Sequence, residues 1–217
     1  MLIVTLLRSA AITVLAFLAV YLPAFAIAGI LRLPPNHLVP VVMMVSFTIT
    51  CVLIGLAIHR GWLSAVDFGL RWPARRCLAY SLIFAVPLSA FTAWALSHAR
   101  EPGPLGGLNL TPALVYLYFA VGAPIQEEVI FRGLLQSTLA RSLESFPKWA
   151  AASGIAASLA IAALFGLIHL EVGPFTALAA LVLGVFAGEL RRRSGSLLPA
   201  IVCHSIFNLG GILWALN

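Results

Sequence analysis

Ionisable side chains interrupt an apolar stretch near the middle of this sequence, which reads Ala-Pro-Ile-Gln-Glu-Glu-Val-Ile-Phe-Arg over residues 123–132. Glu128 and Arg132 are four residues apart, so a helix places them on one face, where a carboxylate and a guanidinium can pair. Glu127 points about 100° away from its neighbour. We therefore predict that Arg132 holds Glu128 ionised, whereas Glu127 is free to accept and release a proton, as a general base must.

Two histidines and an asparagine follow in later apolar stretches, at the same helical spacing. Phe165 precedes His169 by four residues, and His204 precedes Asn208 by four, so each pair shares a helical face. A lone histidine in an apolar helix is more often a packing residue. Polar groups of membrane helices, however, turn toward one another, and ionisable groups there face a cavity or a partner. We therefore expect these side chains and Glu127 to converge on one site.

Peptide hydrolysis is the reaction that suits these residue types. It needs a base that activates water, donors for the tetrahedral oxyanion and a group that protonates the leaving amine. Glu127 and His169 can hold and deprotonate the water, and His204 and the Asn208 amide can donate to the oxyanion. The sequence contains neither a Gly-x-Ser-x-Gly elbow nor a His-Glu-x-x-His run, so those two hydrolytic solutions are not available to it.

A catalytic zinc ion is the alternative to a metal-free site. His169, His204 and Glu127 would supply the His₂Glu ligand set of such a centre. Neither histidine has a carboxylate immediately beside it in the sequence to orient its ring, which counts against zinc. Asn208 is a poor zinc ligand but a good oxyanion donor. The residues therefore favour a site without metal or other cofactor.

Long apolar stretches must carry these residues. Of the 217 residues, 62% are hydrophobic and 9% are charged, and the mean hydropathy is +1.05. A soluble domain has about a quarter charged residues, and a bilayer is crossed by a helix of roughly 17–25 apolar residues. We therefore predict an all-α, polytopic transmembrane bundle of about seven helices with an intramembrane polar cavity, forming a single integral membrane domain over residues 1–217. The predicted spans are Ser9–Leu31, Leu38–Ile58, Cys77–Ser97, Thr111–Leu139, Trp149–His169, Phe175–Leu190 and Leu197–Leu216.

The basic residues predict how the chain is oriented. With seven spans, the side opposite the N-terminus carries only Arg32 and Arg100. The positive-inside rule then places the N-terminus in the cytoplasm and the C-terminus outside, in an inner or plasma membrane. The net charge of +6 fits anionic lipid head groups, and no nucleic-acid partner is expected. The N-terminal side carries ten basic residues, namely Arg8, Arg60, Arg71, Arg75, Arg76, Arg141, Lys148, Arg191, Arg192 and Arg193.

Two features of the loops stay open at this point. The Arg60–Arg76 segment, with Trp62 and Trp72, is either a short amphipathic segment on the membrane surface or a plain linker. The span Phe175–Leu190 is short, so the loop before it could dip into the membrane and carry His169 with it. The side to which the cavity opens is therefore not fixed by the sequence.

Three motifs in a fixed order on separate apolar stretches resemble the CPBP family, which comprises CAAX prenyl endopeptidases and bacteriocin-processing intramembrane proteases. The resemblance covers about residues 111–210, which we take as the catalytic core. It implies an all-helical membrane fold with a cavity open to water. The motifs are Glu127-Glu128-x-x-x-Arg132, Phe165-x-x-x-His169 and His204-x-x-x-Asn208.

The resemblance also implies a role for each motif residue. Glu127 and His169 would act on the catalytic water, and His204 and Asn208 would stabilise the oxyanion. Family members are described both as metalloproteases and as glutamate-type proteases, so the choice between a metal-free site and zinc stays open. The remaining motif residues would support the site, namely Glu128, Arg132 and Phe165.

The function predicted from these features is an intramembrane endopeptidase that hydrolyses a peptide bond of a membrane-associated or lipidated peptide or protein. A CAAX-type prenylated tail, a bacteriocin leader and a C-terminal sorting or anchor segment are all compatible substrates. The alternative is a non-catalytic immunity or scaffold protein on the same fold. A third hypothesis is a proton-coupled transporter with Glu127 and Glu128 as a relay.

Overall fold

The computed structural model describes residues 2–32, 35–62, 64–99 and 111–215, and within these ranges the chain is helical and contains no strand. This confirms the all-α prediction. The fifth helix, α5, is built from five consecutive segments, namely Pro112–Val115, Tyr116–Gly122 (π), Ala123–Glu128, Val129–Gln136 (π) and Ser137–Glu144. The other helices are α1 (Leu2–Ile30), α2 (Pro35–His59), α3 (Ala65–Phe68), α4 (Arg75–Ala99), α6 (Ser153–Ile168, after a 3₁₀ turn at Ala150–Ala152), α7 (Pro174–Ser194) and α8 (Leu198–Ala215).

Five of the described helices are long and apolar enough to cross a membrane, and they correspond to the second to sixth predicted spans. Two shorter apolar stretches, Leu18–Ile30 and Leu198–Leu213, lie in the first and seventh. The sixth span is longer than the sequence indicated, because α7 continues through the arginines after Leu190 to Ser194 and has 21 residues. Helix α7 is therefore long enough to cross the membrane, and its length does not require the preceding loop to dip into the membrane. Arg100 and Leu216 lie outside the described residues.

The fifth helix lies at the centre of the bundle. It contacts α1 and α2 on one side and α6, α7 and α8 on others, while α4 packs against α7 and α8. The buried apolar cluster around it draws on α4 to α8, from Ala85 through Phe131, Phe165 and Leu183 to Cys203. Any polar side chain on the inner face of α5 is therefore enclosed by protein on several sides rather than exposed to lipid.

Helices α6 and α7 approach closely because small residues line their contact. A Cβ added at Gly184 would lie 3.0 Å from the Ala162 Cα, and one at Gly188 would lie 2.3 Å from the Ser158 Oγ. Small residues four apart allow such packing between membrane helices. The close approach also leaves the backbone carbonyls of both glycines accessible to side chains of α5.

The loops that follow α2, α5 and α7 meet at one end of the bundle. The short helix α3 starts with Ser64, whose hydroxyl accepts from the Asp67 N–H at 3.3 Å, and ends at Gly69 in the left-handed region with φ 98°. The N–H of Leu197 donates to the Gly69 carbonyl at 3.0 Å, and Arg71 Nη2 donates to the Ser194 carbonyl at 2.9 Å. The segment after α2 is thus docked onto the bundle rather than a plain linker.

The docked segment has one buried side and one exposed side. Phe68 is buried against Gly133 of α5, where an added Cβ would lie 2.6 Å from the Phe68 ring. Trp62 and Trp72 remain 78% and 82% exposed at the same end. Three of the predicted basic loops therefore share one face of the molecule with exposed aromatic side chains, as interfacial segments of membrane proteins do.

Candidate active site

A chain of charged groups crosses from α5 to α8. Arg132 Nη1 lies 3.1 Å from Glu128 Oε1, which gives the ion pair that the i,i+4 spacing predicts. His204 Nδ1 contacts the same oxygen at 2.8 Å. All three side chains are almost completely buried. Because an ionised carboxylate only accepts hydrogen bonds, His204 Nδ1 carries the proton in this contact.

Arg132 is fully enclosed, and four different contacts compensate for the burial of its charge. Besides Glu128, its Nη2 donates to the Gly184 carbonyl at 3.3 Å. The guanidinium carbon lies 4.7 Å from the ring centroid of Phe165 and 5.8 Å from that of Phe131, so two aromatic faces contribute cation–π attraction. The guanidinium of arginine is planar, stacks on aromatic rings and presents its N–H donors in a rigid arrangement, and the ammonium group of lysine does none of these.

Glu127 occupies a different environment from its neighbour Glu128. Its side chain is 26% exposed, and its Oε2 lies 3.8 Å from His204 Nε2. This distance exceeds that of a direct hydrogen bond. His204 therefore lies between the two glutamates and turns one nitrogen to each. Glu127 is the carboxylate with room to meet a small molecule, while Glu128 is committed to Arg132 and His204.

His169 is held by the end of its own helix. It follows the last residue of α6 with φ −90° and ψ 0°, and its Nδ1 lies 2.7 Å from the Phe165 carbonyl oxygen. Since a carbonyl can only accept, Nδ1 carries hydrogen, and Nε2 of the neutral ring is left as an acceptor. The Phe165 ring touches both histidines, with centroid distances of 4.6 Å to His169 and 5.7 Å to His204.

Asn208 binds the backbone of α5. Its Nδ2 donates to the Phe119 carbonyl at 2.8 Å, in the first π segment of that helix. One of the two amide hydrogens is thereby used, and the second is left for another acceptor. Asn208 is four residues from His204, so α8 contacts α5 at two points with one face.

A cavity of about 330 Å³ joins these residues. Its lining includes Glu127, His169, His204 and Asn208, so the structure brings the four predicted catalytic residues to one space. Phe165 also lines it, whereas Glu128 and Arg132 lie behind His204. Glu171, in the loop between α6 and α7, extends the lining to that loop. The lining is otherwise mostly apolar, from Met43 of α2 to Ile212 of α8.

Several supporting residues escaped the sequence reasoning. Gln126 Nε2 donates to Ser46 Oγ at 3.0 Å and joins α2 to the segment that carries both glutamates. Gln136 Nε2 donates to the Gly188 carbonyl at 3.0 Å, one turn after the contact between Arg132 and Gly184. The small-residue motif Gly184-x-x-x-Gly188 was the available signal for the second contact. No comparable signal marks Gln126.

The fit of these side chains to a metal ion can be judged from their positions. In the described ranges, no three His, Cys, Asp or Glu side chains are grouped so that they could hold one. A carboxylate does orient His204, although none lies beside it in the sequence, because Glu128 reaches its Nδ1 from another helix. Such a carboxylate would suit a metal ligand equally well. The described side chains nevertheless do not form a ligand set for a metal ion.

Residues 109–210 match the sequence profile of the family described as "Type II CAAX prenyl endopeptidase Rce1-like". This region contains all three motifs and confirms the family resemblance drawn from them. No curated protein and no solved structure shows significant similarity to the chain.

Proposed function

We propose that this protein, whose residues 109–210 belong to the Rce1-like family of type II CAAX prenyl endopeptidases, is an intramembrane endopeptidase that uses Glu127 to activate water. The observation that carries the proposal is the cavity shared by Glu127, His169 and His204. A protein-lined cavity among membrane-spanning helices, with a few polar side chains gathered on its wall, is where water can meet a peptide bond away from bulk solvent.

The water would be held between Glu127 and His169. Glu127 is the less buried glutamate of the pair, and the Nε2 atom of neutral His169 is an acceptor because Nδ1 donates to the Phe165 carbonyl. Two acceptors on one water leave a lone pair for attack on the scissile carbonyl, while Glu127 takes the proton. The protonated Glu127 can then pass this proton to the leaving amine.

The oxyanion would be stabilised from α8. Asn208 has one amide hydrogen left after its bond to Phe119, and His204 can donate from Nε2 when both ring nitrogens carry hydrogen. With both glutamates ionised, Arg132 and a protonated His204 balance the charge of the cluster. Donors fixed by other contacts before the substrate arrives lower the cost of stabilising developing charge.

The substrate class follows from the surroundings of the cavity. The mostly apolar lining and the transmembrane helices suit a membrane-associated or lipidated peptide or protein. A CAAX-type prenylated tail, a bacteriocin leader and a C-terminal anchor segment remain compatible. We propose that the cofactor-free mechanism applies, with zinc held by His169, His204 and Glu127 as the alternative.

The orientation of the cavity can also be proposed. The basic loops after α2, α5 and α7 meet at one end of the bundle. Glu171, in the loop between α6 and α7, lines the cavity and belongs to the other end. If the basic end faces the cytoplasm, as the positive-inside rule indicates, the N-terminus is cytoplasmic and the cavity extends toward the outer surface of the cell membrane.

A substrate comparison by mass spectrometry tests the proposal. Membranes from cells that carry the wild-type protein or the Glu127→Gln variant are analysed for peptides, with Glu144→Gln, at the end of α5, as the matched control. We expect at least one membrane-associated protein or peptide to accumulate uncleaved only in the Glu127→Gln strain. Identical peptide profiles in all three strains would favour the non-catalytic immunity or scaffold alternative.

A further inference from the structure

One backbone carbonyl beside the candidate active site lacks the donor that the π pattern of its own helix would supply. In the π segment Tyr116–Gly122, the N–H of Ala123 donates to the Tyr118 carbonyl, five residues back. The next donor in this pattern would be residue 124, which would serve the Phe119 carbonyl. Residue 124 is proline and has no N–H. The Phe119 carbonyl must therefore find another donor, because an unpaired carbonyl inside a membrane protein is costly.

Asn208 supplies that donor. Its Nδ2 lies 2.8 Å from the Phe119 oxygen, and both residues line the cavity. An amide group is planar, so a bond to one hydrogen restricts the direction of the other. The same face of α8 carries His204, which is fixed to Glu128. The two contacts together set the position of α8 relative to the glutamates.

We propose that Pro124 is a positioning residue of the active site. By withholding an N–H, it reserves the Phe119 carbonyl for Asn208, and this bond orients the amide that faces the cavity. The catalytic consequence rests on the proposed endopeptidase function. The coupling between Pro124 and Asn208 does not rest on that function, because it concerns only which donor satisfies the Phe119 carbonyl.

A double-mutant cycle with Pro124→Ala, Asn208→Ala and both together tests the coupling through stability. In the Pro124 background, Asn208→Ala leaves the Phe119 carbonyl without a donor and should lower the Tm in detergent by several degrees. With alanine at position 124, a backbone N–H can take over, and the same change should cost clearly less. Equal losses of Tm in the two backgrounds would overturn the proposal.

Kinetic measurements on the wild type and these three variants distinguish a positioning role of Pro124 from a purely structural one. Once a cleaved peptide is in hand, Pro124→Ala should lower kcat about tenfold, because the amide is misdirected, while KM changes less than about twofold. In the Asn208→Ala background, Pro124→Ala should change kcat little. If it lowers kcat by the same factor with or without Asn208, the positioning role is refuted while the peptidase assignment stands.

A second proline substitution controls for loss of a helix proline as such. Pro23 lies inside α1 and is exposed on the surface of the bundle. Pro23→Ala should leave kcat and its dependence on Asn208 unchanged. If it reproduced the coupling seen with Pro124→Ala, the effect would be general to membrane helices and the proposal would fail. If the wild-type protein cleaves nothing, the proposed function fails, and the Tm cycle still decides the coupling.

Discussion

The imidazole of His204 and the carboxylate of Glu128 are 2.8 Å apart, although 76 residues of sequence separate them. The same carboxylate oxygen lies 3.1 Å from Arg132, and the other ring nitrogen of His204 lies 3.8 Å from Glu127. The two adjacent glutamates therefore have different roles, because they contact different partners. Glu128 belongs to a buried structural pair, and Glu127 belongs to the cavity.

This division predicts that the two glutamates differ in their effect on stability. Glu128→Gln keeps the shape of the side chain but leaves Arg132 buried without a counter-charge. Breaking a buried ion pair in this way lowers the free energy of unfolding by about 3–5 kcal/mol. Glu127→Gln replaces a partly exposed carboxylate that, among the described residues, makes no ion pair closer than 3.8 Å. We therefore expect a large fall in Tm for Glu128→Gln and a small one for Glu127→Gln, measured by thermal unfolding in detergent. Equal shifts would contradict the division.

The close contact of α6 and α7 predicts that one glycine is critical. Gly184→Ala would push its Cβ against Ala162, and it would shift the carbonyl that accepts from Arg132. We expect a loss of about 1–3 kcal/mol, as for other overpacked sites. Gly55→Ala in α2 is the matched control, because an added Cβ there meets no atom of the described part of the chain within 4 Å. A Gly184→Ala protein as stable as Gly55→Ala would show that the two helices do not pack this closely.

The proposed orientation predicts which loop is reached from outside the cell. In Glu171→Cys, a membrane-impermeant maleimide should label the new thiol on intact cells, because Glu171 lines the cavity and the proposed orientation places the loop between α6 and α7 outside. Ser145→Cys, which is exposed at the basic end, should react only after the cells are opened. Labelling of the parent protein corrects for its own three cysteines. The reverse pattern would invert the topology.

The cofactor-free mechanism predicts that chelators do not inactivate the enzyme. No three potential ligands are grouped for a metal among the described residues. Dialysis against a strong zinc chelator should leave peptide cleavage within about twofold of the untreated rate. A loss of activity that zinc restores would establish the alternative, with His169, His204 and Glu127 as ligands.

The sequence predicted the features that depend on short-range spacing. The ion pair between Glu128 and Arg132 follows from one helical turn, and the membrane spans follow from runs of apolar residues. The contact between His204 and Glu128 was not foreseeable, because spacing does not reveal how α8 is placed against α5. For the same reason, the carboxylate that orients His204 was missed.

The backbone role of Asn208 was also hidden in the sequence. Pro124 is visible in the sequence, but the carbonyl that it leaves free depends on where the π segment begins and ends. The wider turns of a π segment depend on the tertiary contacts of the helix, and no simple residue pattern marks them. Gly184 and Gly188, by contrast, form a recognisable small-residue motif whose contacts with Arg132 and Gln136 required the structure.

The most direct test of the central claim is peptide hydrolysis by the purified protein in proteoliposomes, with the wild type, Glu127→Gln and Glu144→Gln compared at equal folded amounts. The substrate is a peptide that accumulates in the Glu127→Gln strain. If Glu127 activates the water, its substitution should reduce kcat by about 10²-fold or more while the control keeps the wild-type rate. Cleavage by Glu127→Gln at a rate close to wild type would contradict the account.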